Sequence, residues 1–236
     1  MTEASATGAA GSDEPDGLAA AAVMAAGARR DDGAVDGRAA RGARTRSALV
    51  DATLALVEAG DLRPTAPRIA EQAGVSVRSV FQHFDDLETL FSELGDLAFD
   101  RIRRLSEPID PELPLPERVE RFVAQRCRVN EAMDPINKAA SLQAPTSPAI
   151  RAQFERGHER ATAHLRLVFG PELAAAGDRA APLFDGLRFA TSWTIWNLCR
   201  ETEGRSVAES TDAVRRVVAL VFAGAGLSVD EPAPSS

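Results

Sequence analysis

Apolar side chains recur along this chain at the spacing of an α-helix, and no segment alternates as a β-strand does. The first clear example is Leu49, Ala52 and Leu56, which fall at i, i+3 and i+7 on one face of a helix that ends near Gly60. Similar spacing continues to about residue 228. The pattern therefore predicts an all-α fold of about nine helices.

Capping residues and prolines divide this pattern into separate helices. Asp85 or Asp86 caps a connecting helix over about 86–105, and a proline-rich stretch at 108–116 follows it. Beyond that stretch we predict five further helices. They begin near Pro116, near Pro135, after Ser147, near Ala180 and after Ser206, which has capping-box spacing with Glu209.

The segment 65–84 has the anatomy of a helix-turn-helix. A short helix capped by Thr65 ends at Gly74, and Ser76 caps a second helix directly after the turn. Val80 is placed to anchor that second helix in the core, which leaves its other side chains for the outer surface. A helix presented in this way reads the major groove of DNA from residues near its N-terminus.

The outer surface of the second helix carries side chains that suit DNA. Arginine bonds a guanine edge and glutamine an adenine edge, so Arg78 and Gln82 are candidates for reading bases. Hydroxyl groups, His83 and upstream arginines suit phosphates. The full predicted DNA-binding set is Arg44, Arg46, Thr65, Ser76, Val77, Arg78, Ser79, Phe81, Gln82 and His83.

Residues 45–94 resemble the DNA-binding domain of the TetR (tetracycline repressor) family. The resemblance rests on Thr45-Arg46, Ile69-Ala70, Ala73-Gly74-Val75-Ser76 and Phe81-x-His83-Phe84. It implies a three-helix DNA-binding domain followed by a helical domain that binds an effector and dimerises. Two positions depart from the family pattern: Phe81 stands for the usual tyrosine, and Leu87 for a frequent lysine. Both departures remove a phosphate contact.

The resemblance also implies a function and a division of the chain. The function is a transcriptional regulator that binds operator DNA as a homodimer and responds to a small, mostly apolar effector. A two-fold dimer implies a palindromic operator. Repression is the usual outcome in the family, and activation is the alternative. The predicted segments are a disordered acidic tail (1–40), the DNA-binding domain (41–86), the effector and dimerisation domain (87–228) and a disordered C-terminus (229–236).

Two apolar stripes on the predicted helix 180–199 suggest a dimer interface. The stripes lie about 200° apart on the helical wheel, so the helix should be buried on both faces. One face would pack in its own domain and the other, with the last helix, on a second subunit. The predicted interface residues are Leu187, Thr191, Leu198, Val214, Val218 and Val221.

Polar residues on inward-facing stripes suggest an effector pocket. Arg126, Asn130 and His158 interrupt apolar faces, and buried polar groups need partners, which a ligand could supply. Arg126 would favour a carboxylate or another acceptor. The alternative is that Arg126 pairs with a nearby acid and that His158 is a satisfied core histidine. The predicted pocket residues are Phe122, Arg126, Asn130, Phe154, His158, Phe184, Trp193 and Trp196.

Charge and composition modify this picture only in part. The formal net charge is -8, which argues mildly against a nucleic-acid partner. However, residues 1–40 carry seven acids and three arginines, whereas residues 41–84 carry six arginines and four acids. The balance of charge thus reverses in the part of the chain that contains the helix-turn-helix. No apolar run reaches the length of a membrane span and no secretory signal opens the chain, so we expect a cytoplasmic protein without a membrane partner.

Other classes of protein fit the sequence less well. An enzyme with a di-metal site would need two Glu-x-x-His motifs, and only Glu155-x-x-His158 is present. Cys127 and Cys199 lie in no metal-binding or disulfide pattern. We therefore expect no metal, no cofactor and no catalysis. A helical enzyme with a site in the C-terminal domain, and a DNA-binding protein without an effector, remain the alternatives.

Overall fold

The computed structural model describes the backbone of residues 17–229 and the side chains of residues 37–229. The chain divides into two compact units, Met1–Ser47 and Ala48–Ser236. Within the described range the fold consists of ten α-helices and contains no strand. The helices are α1 (Gly17–Glu58), α2 (Ala66–Ala73), α3 (Val77–His83), α4 (Leu87–Leu105), α5 (Leu115–Gln143), α6 (Pro148–Val168), α7 (Gly170–Ala175), α8 (Ala180–Ala190), α9 (Trp193–Asn197) and α10 (Val207–Gly224).

The first helix begins further upstream than the sequence predicted. α1 starts at Gly17, whereas a tail without regular structure was expected up to residue 40. The upstream segment is rich in alanine, the residue with the highest helix propensity, so it can be helical without a core to pack on. Residues 1–16 of that predicted tail, and residues 230–236 of the predicted C-terminal one, lie outside the described residues.

Two predicted helices merge into one. α5 runs for 29 residues through Pro135, where the sequence predicted one helix to end and another to begin. A proline inside a helix removes one backbone hydrogen bond and tends to kink or end it. Here Met133 and Ile136 are buried on either side of the proline, and this packing accompanies a continuous helix.

One predicted helix is divided in two. The sequence predicted a single helix over 180–199, but α8 ends at Ala190 and α9 begins at Trp193. Ser192 between them is extended, with φ -71° and ψ 153°, and its side chain accepts a 3.3 Å hydrogen bond from the backbone N–H of Ile195. A serine in this N-cap role starts a new helix. A short π-helical turn, Leu198–Thr202, then follows α9.

Several predicted helix starts are confirmed by their capping hydrogen bonds. Asp86 caps α4 by accepting from the backbone N–H of Thr89 at 2.7 Å, and Ser147 caps α6 at 3.1 Å. At α10, Ser206 and Glu209 form the complete capping box. Each cap satisfies backbone donors that have no partner inside the helix, and is worth about 1 kcal/mol.

Two larger apolar clusters form the core of the second unit. The first joins the end of α1 with α2, α3 and α4, through fully buried residues such as Leu49, Ile69 and Leu90. The second lies among α5 to α10. Its centre is a row of aromatic rings in which Phe169 meets Phe122 edge-on at 5.0 Å and Phe222 at 5.2 Å. Full burial of each such side chain contributes about 1.5–3 kcal/mol.

A buried ion pair joins the start of α5 to α7. The guanidinium of Arg118 donates to both carboxylate oxygens of Glu172, to the carbonyl of Leu113 at 2.7 Å and to that of Val168 at 2.7 Å. The many hydrogen bonds that this guanidinium donates compensate for removing the charges from water. The sequence predicted neither residue as a buried one.

Candidate DNA-reading face and internal cavity

The turn between α2 and α3 has the geometry of a helix-turn-helix. Gly74 ends α2 with φ 67°, in the left-handed region that glycine adopts without strain. Ser76 then caps α3 by accepting a 3.2 Å hydrogen bond from the backbone N–H of Ser79. Thr65 occupies the N-cap position of α2 as predicted, but its side chain makes no capping hydrogen bond and is exposed.

α3 presents a mixed apolar and polar face to solvent. Val80 is fully buried, whereas Val77 and Phe81 are 39% and 52% exposed. These two are four residues apart, so they lie one above the other on the helix, and exposed Arg78 and Gln82 form the neighbouring column. Ser79 and His83 are half-buried. Side chains in two such rows on an exposed helix face can approach base edges in a major groove.

The two upstream arginines belong to the unit Met1–Ser47. Arg44 is exposed and Arg46 is half-buried on α1, in the same stretch where Thr45 donates a side-chain hydrogen bond to the carbonyl of Arg41 at 3.1 Å. Their part in DNA binding stays a prediction.

An internal cavity of about 280 Å³ lies among α4, α5, α6 and the junction of α8 and α9. Its wall is mostly apolar. Five of the eight predicted pocket residues line it, namely Arg126, Asn130, Phe154, His158 and Trp193. The sequence did not predict α4 as part of the wall, yet Gly95, Ala98, Phe99 and Ile102 all lie there.

Two polar side chains of α5 hold the break between α8 and α9. The carbonyl of Thr191 accepts a hydrogen bond from Nδ2 of Asn130 at 3.2 Å and from the guanidinium of Arg126 at 3.4 Å. Because the chain changes direction at Thr191 and Ser192, both residues, with Trp193, reach the cavity wall. Burial lowers the pKa of Arg126 below its ordinary value.

The other predicted pocket residues lie elsewhere. Phe122 and Trp196 are buried in the second core cluster, and Phe184 is partly buried against it under the guanidinium of Arg166. The division of the predicted helix 180–199 explains why the two tryptophans lie in different places: Trp193 faces the cavity and Trp196 faces the core. His158 lines the cavity but is exposed, with Nε2 3.3 Å from a guanidinium nitrogen of Arg188, so it lies at the rim.

The predicted dimer interface needs correction. Leu187, Thr191, Val214 and Val218 are buried inside the chain's own core and are unavailable to a partner. Val221 is half-buried and packs against Gly186 of α8. Leu198 is 41% exposed, but in the π-helical turn and not on the predicted stripe. The break after α8 separates Leu198 from the stripe that the sequence predicted for one unbroken helix.

The exposed apolar face of these last helices carries other residues. Phe189 on α8 and Val217 and Leu220 on α10 are 56%, 44% and 71% exposed. Val217 and Leu220 are three residues apart and share one side of α10. Val217 directly precedes Val218, which is buried on another side of the helix together with Val214. Sequence periodicity alone could not decide which of the adjacent valines faces inward.

Comparison with known proteins agrees with the helix-turn-helix. Residues 49–94 match the family described as bacterial regulatory proteins, tetR family. The chain is thus similar to the TetR family over its helix-turn-helix region. This stretch covers the end of α1 through the first half of α4, the helices that share the first core cluster.

Solved structures extend the likeness over most of the chain. A transcriptional regulator from Rhodococcus sp. Rha1 is 18% identical with a TM-score of 0.56, covering 81% of this chain and 99% of that one. A protein from Mesorhizobium loti MAFF303099 described as a TetR-family transcriptional regulator is 25% identical with a TM-score of 0.52, covering 78% and 98%. No curated protein sequence matches this chain. The all-α fold predicted from the sequence is confirmed.

The described residues offer neither a metal site nor a membrane span. Among the described residues, no group of three or more His, Cys, Asp or Glu side chains is placed to hold a metal ion. In the same part of the chain, no helix combines the length and apolar character needed to cross a membrane.

Proposed function

We propose that this chain is a homodimeric TetR-family repressor that binds a palindromic operator and is released by a small, mostly apolar ligand. The observation that carries the proposal is that α4 belongs to two sites. Its first half packs with the helix-turn-helix through Leu90 and Leu94, and its second half forms a wall of the cavity. A ligand in the cavity therefore touches the helix that supports the DNA-reading unit.

The contacts between α4 and α6 support coupling between the two sites. The amide of Gln153 on α6 donates to the carbonyl of Ser92 on α4 and lies directly over Gly95. Lower down, the guanidinium of Arg160 lies 4.0 Å from the ring of Phe99. Gly95, Phe99 and Gln153 also line the cavity. Filling the cavity would change this contact and tilt α4.

A tilt of α4 matters only if two DNA-reading units act together. In a two-fold dimer the two α3 helices enter successive major grooves, about 34 Å apart. A shift of a few ångströms in their separation spoils simultaneous docking. A coupling free energy of roughly 1–3 kcal/mol would weaken operator binding about 5–150-fold.

The second subunit would cover the exposed apolar side chains of α8 and α10. Phe189, Val217 and Leu220 are large apolar residues, and exposed apolar patches of this kind mark association sites. The close packing of Gly186 of α8 against Val221 of α10 makes these two helices one continuous surface.

Selection of bound DNA from random sequence tests the proposal. We expect an inverted repeat whose half-sites are about one helical turn apart. A reporter gene under that operator should be silenced by the regulator and restored by its ligand. An asymmetric site, or a reporter that is switched on by the ligand-free protein, would contradict the palindrome or the repressor role respectively.

A further inference from the structure

The cavity wall carries positive charge without a matching carboxylate. Arg126 and Arg188 line it, and no aspartate or glutamate does so among the residues that the structure describes. Arg188 is compensated by Asp185 at 3.1 Å and lies 28% exposed near the rim. Arg126 is therefore the cationic side chain of the cavity wall that has no carboxylate partner among the described residues.

The guanidinium of Arg126 is poorly satisfied. It has five N–H donors, and its one hydrogen bond within the described part of the chain is the 3.4 Å contact with the carbonyl of Thr191. That carbonyl is shared with Asn130 at a shorter distance. Among the described side chains, no carboxylate forms an ion pair with it. Arg126 is half-buried, and a charge partly removed from water in this way disfavours the fold unless another group compensates for it.

The ionisable groups beside Arg126 do not supply the compensation. Burial, with a smaller effect of Arg126, lowers the pKa of His164, so this imidazole is neutral near pH 7. Burial raises the pKa of the Cys127 thiol to about 11, so it is neutral as well. Neither side chain offers a negative charge.

A second polar group in the same wall also lacks a partner. The hydroxyl of Thr162 on α6 is buried and makes no hydrogen bond, and Thr162 lines the cavity. Buried hydroxyl groups are nearly always hydrogen-bonded in proteins. An unpartnered donor and an uncompensated cation thus share one cavity.

We infer that the cavity binds an amphipathic monocarboxylate, with the carboxylate on Arg126 and the apolar tail among the side chains of α4 and α6. A carboxylate forms short, paired hydrogen bonds with a guanidinium, and a hydroxyl can donate to it in addition. Phe99, Ile102 and Phe154 supply the apolar surface for the tail. This inference rests on the proposed effector function, since it names the chemical class of that ligand.

The size of the cavity limits the tail. Its volume of about 280 Å³ lies just below the usual range of roughly 300–1,000 Å³ for small-molecule pockets. Straight-chain acids of about eight carbons, or acids with a single ring, match this space. A dianion such as a phosphate monoester fits less well, because only one guanidinium is unmatched.

The test compares acids with neutral molecules of the same shape. Calorimetry should show that hexanoate, octanoate and decanoate bind, and that the best of them binds at least tenfold more tightly than its primary amide or alcohol. Arg126→Met should reduce carboxylate affinity roughly 10- to 100-fold and leave amide affinity nearly unchanged, as expected for loss of a charge-assisted pair. Arg128→Met is the matched control, because Arg128 is exposed and lies two residues along the same helix. It should leave carboxylate affinity unchanged.

Thr162→Val provides a variant that keeps the shape of the wall. It should weaken carboxylate binding about three- to tenfold through loss of one hydrogen bond. If no acid binds more tightly than its amide, or if Arg126→Met keeps the acid preference, the inference is overturned.

The inference and the proposed function fail separately. If acids bind with the expected preference but never change operator affinity, the ligand class stands and control by release is wrong. If neutral molecules bind equally well and do release the operator, the release mechanism stands and the ligand class is wrong.

Discussion

The hydroxyl of Ser147 donates a 2.6 Å hydrogen bond to Oε1 of Glu88, joining the first turn of α6 to the first turn of α4. The backbone N–H of Ala149 donates to the same oxygen at 3.3 Å. Glu88 follows α3 by only a few residues. This bond therefore connects α6, which forms a wall of the cavity, to the first turn of α4. That turn follows α3 directly in the sequence.

Glu88→Ala should reduce both stability and coupling. Loss of hydrogen bonds to a charged group costs about 1–3 kcal/mol, measured by urea denaturation. The ratio of operator affinities with and without a releasing ligand should fall at least threefold, because α4 loses a tie to α6. Asp96→Ala, an exposed acid on the same helix, is the control and should change neither. Unchanged coupling in Glu88→Ala would show that this bond does not transmit the ligand signal.

Arg126→Met should make the ligand-free protein more stable. The variant replaces a half-buried, poorly compensated charge by an apolar side chain of similar length. For a chain of this size, about 1 kcal/mol of relief raises Tm by roughly 2–4 °C. Arg128→Met should stay within about 0.5 kcal/mol of the original protein. A lower Tm for Arg126→Met would mean that its charge is compensated after all.

Leu220→Asp should separate the proposed dimer into monomers. Leu220 is 71% exposed on α10, so the change should not disturb the fold of one subunit. Leu167→Asp is the matched control, because Leu167 is 65% exposed on α6, outside the proposed interface. Sedimentation velocity at micromolar concentration gives the result. A monomeric original protein, or a dimeric Leu220→Asp variant, would refute this surface.

Glu131 should make stability depend on acid pH. Hydrogen bonds from Arg200, at 3.0 Å, and then from Trp196 lower the pKa of this carboxyl from its ordinary 4.5. Its stabilisation is therefore complete above pH 4.5 and is lost as pH falls through the lower folded-state pKa. The side chain is 37% exposed, so solvent screening limits the effect to about 1 kcal/mol.

The free energy of unfolding is measured by urea denaturation at a series of pH values from about 3 to about 7. The stability difference between the original protein and Glu131→Gln should be constant at the upper end and shrink below pH 4.5. The exposed Glu155→Gln serves as control. A difference that grows toward acid pH would reverse the sign of the argument.

Phe81 and Val77 should read thymine methyl groups. Both are exposed on the outer face of α3, and apolar side chains contact the thymine C5-methyl in the major groove. Replacing one thymine by uracil should weaken binding about fourfold for each methyl group removed, from about 0.8 kcal/mol per buried methyl. Phe81→Ser should remove that difference, whereas Arg78→Ala should keep it and relax a guanine preference instead. Equal affinity for thymine and uracil throughout would exclude this readout.

Local chemistry explains what the sequence predicted well. The left-handed glycine at Gly74 and the caps at Ser76, Ser147 and Ser206 depend on neighbouring residues alone, so their pattern is visible in one chain. The exposure of Arg78, Phe81 and Gln82 also followed, because a short helix with a buried Val80 has few ways to orient.

Tertiary contacts explain what the sequence did not reveal. The break at Ser192 had a local signal, a serine before Trp193, but apolar periodicity on both sides concealed it. The contribution of α4 to the cavity depends on α6 lying beside it, with Gln153 over Gly95. The spacing of residues along one helix does not indicate which other helix lies beside it, or how closely the two helices pack.

The helix after that break also gives the protein a built-in optical reporter. The chain has two tryptophans and no tyrosine, and both tryptophans lie in the five-residue α9. Trp193 lines the cavity and donates to Asp134 at 2.9 Å, while Trp196 is fully buried and donates to Glu131 at 2.9 Å. Emission excited at long wavelength therefore comes from one place in the fold, so that events in the cavity can be followed without attaching a dye.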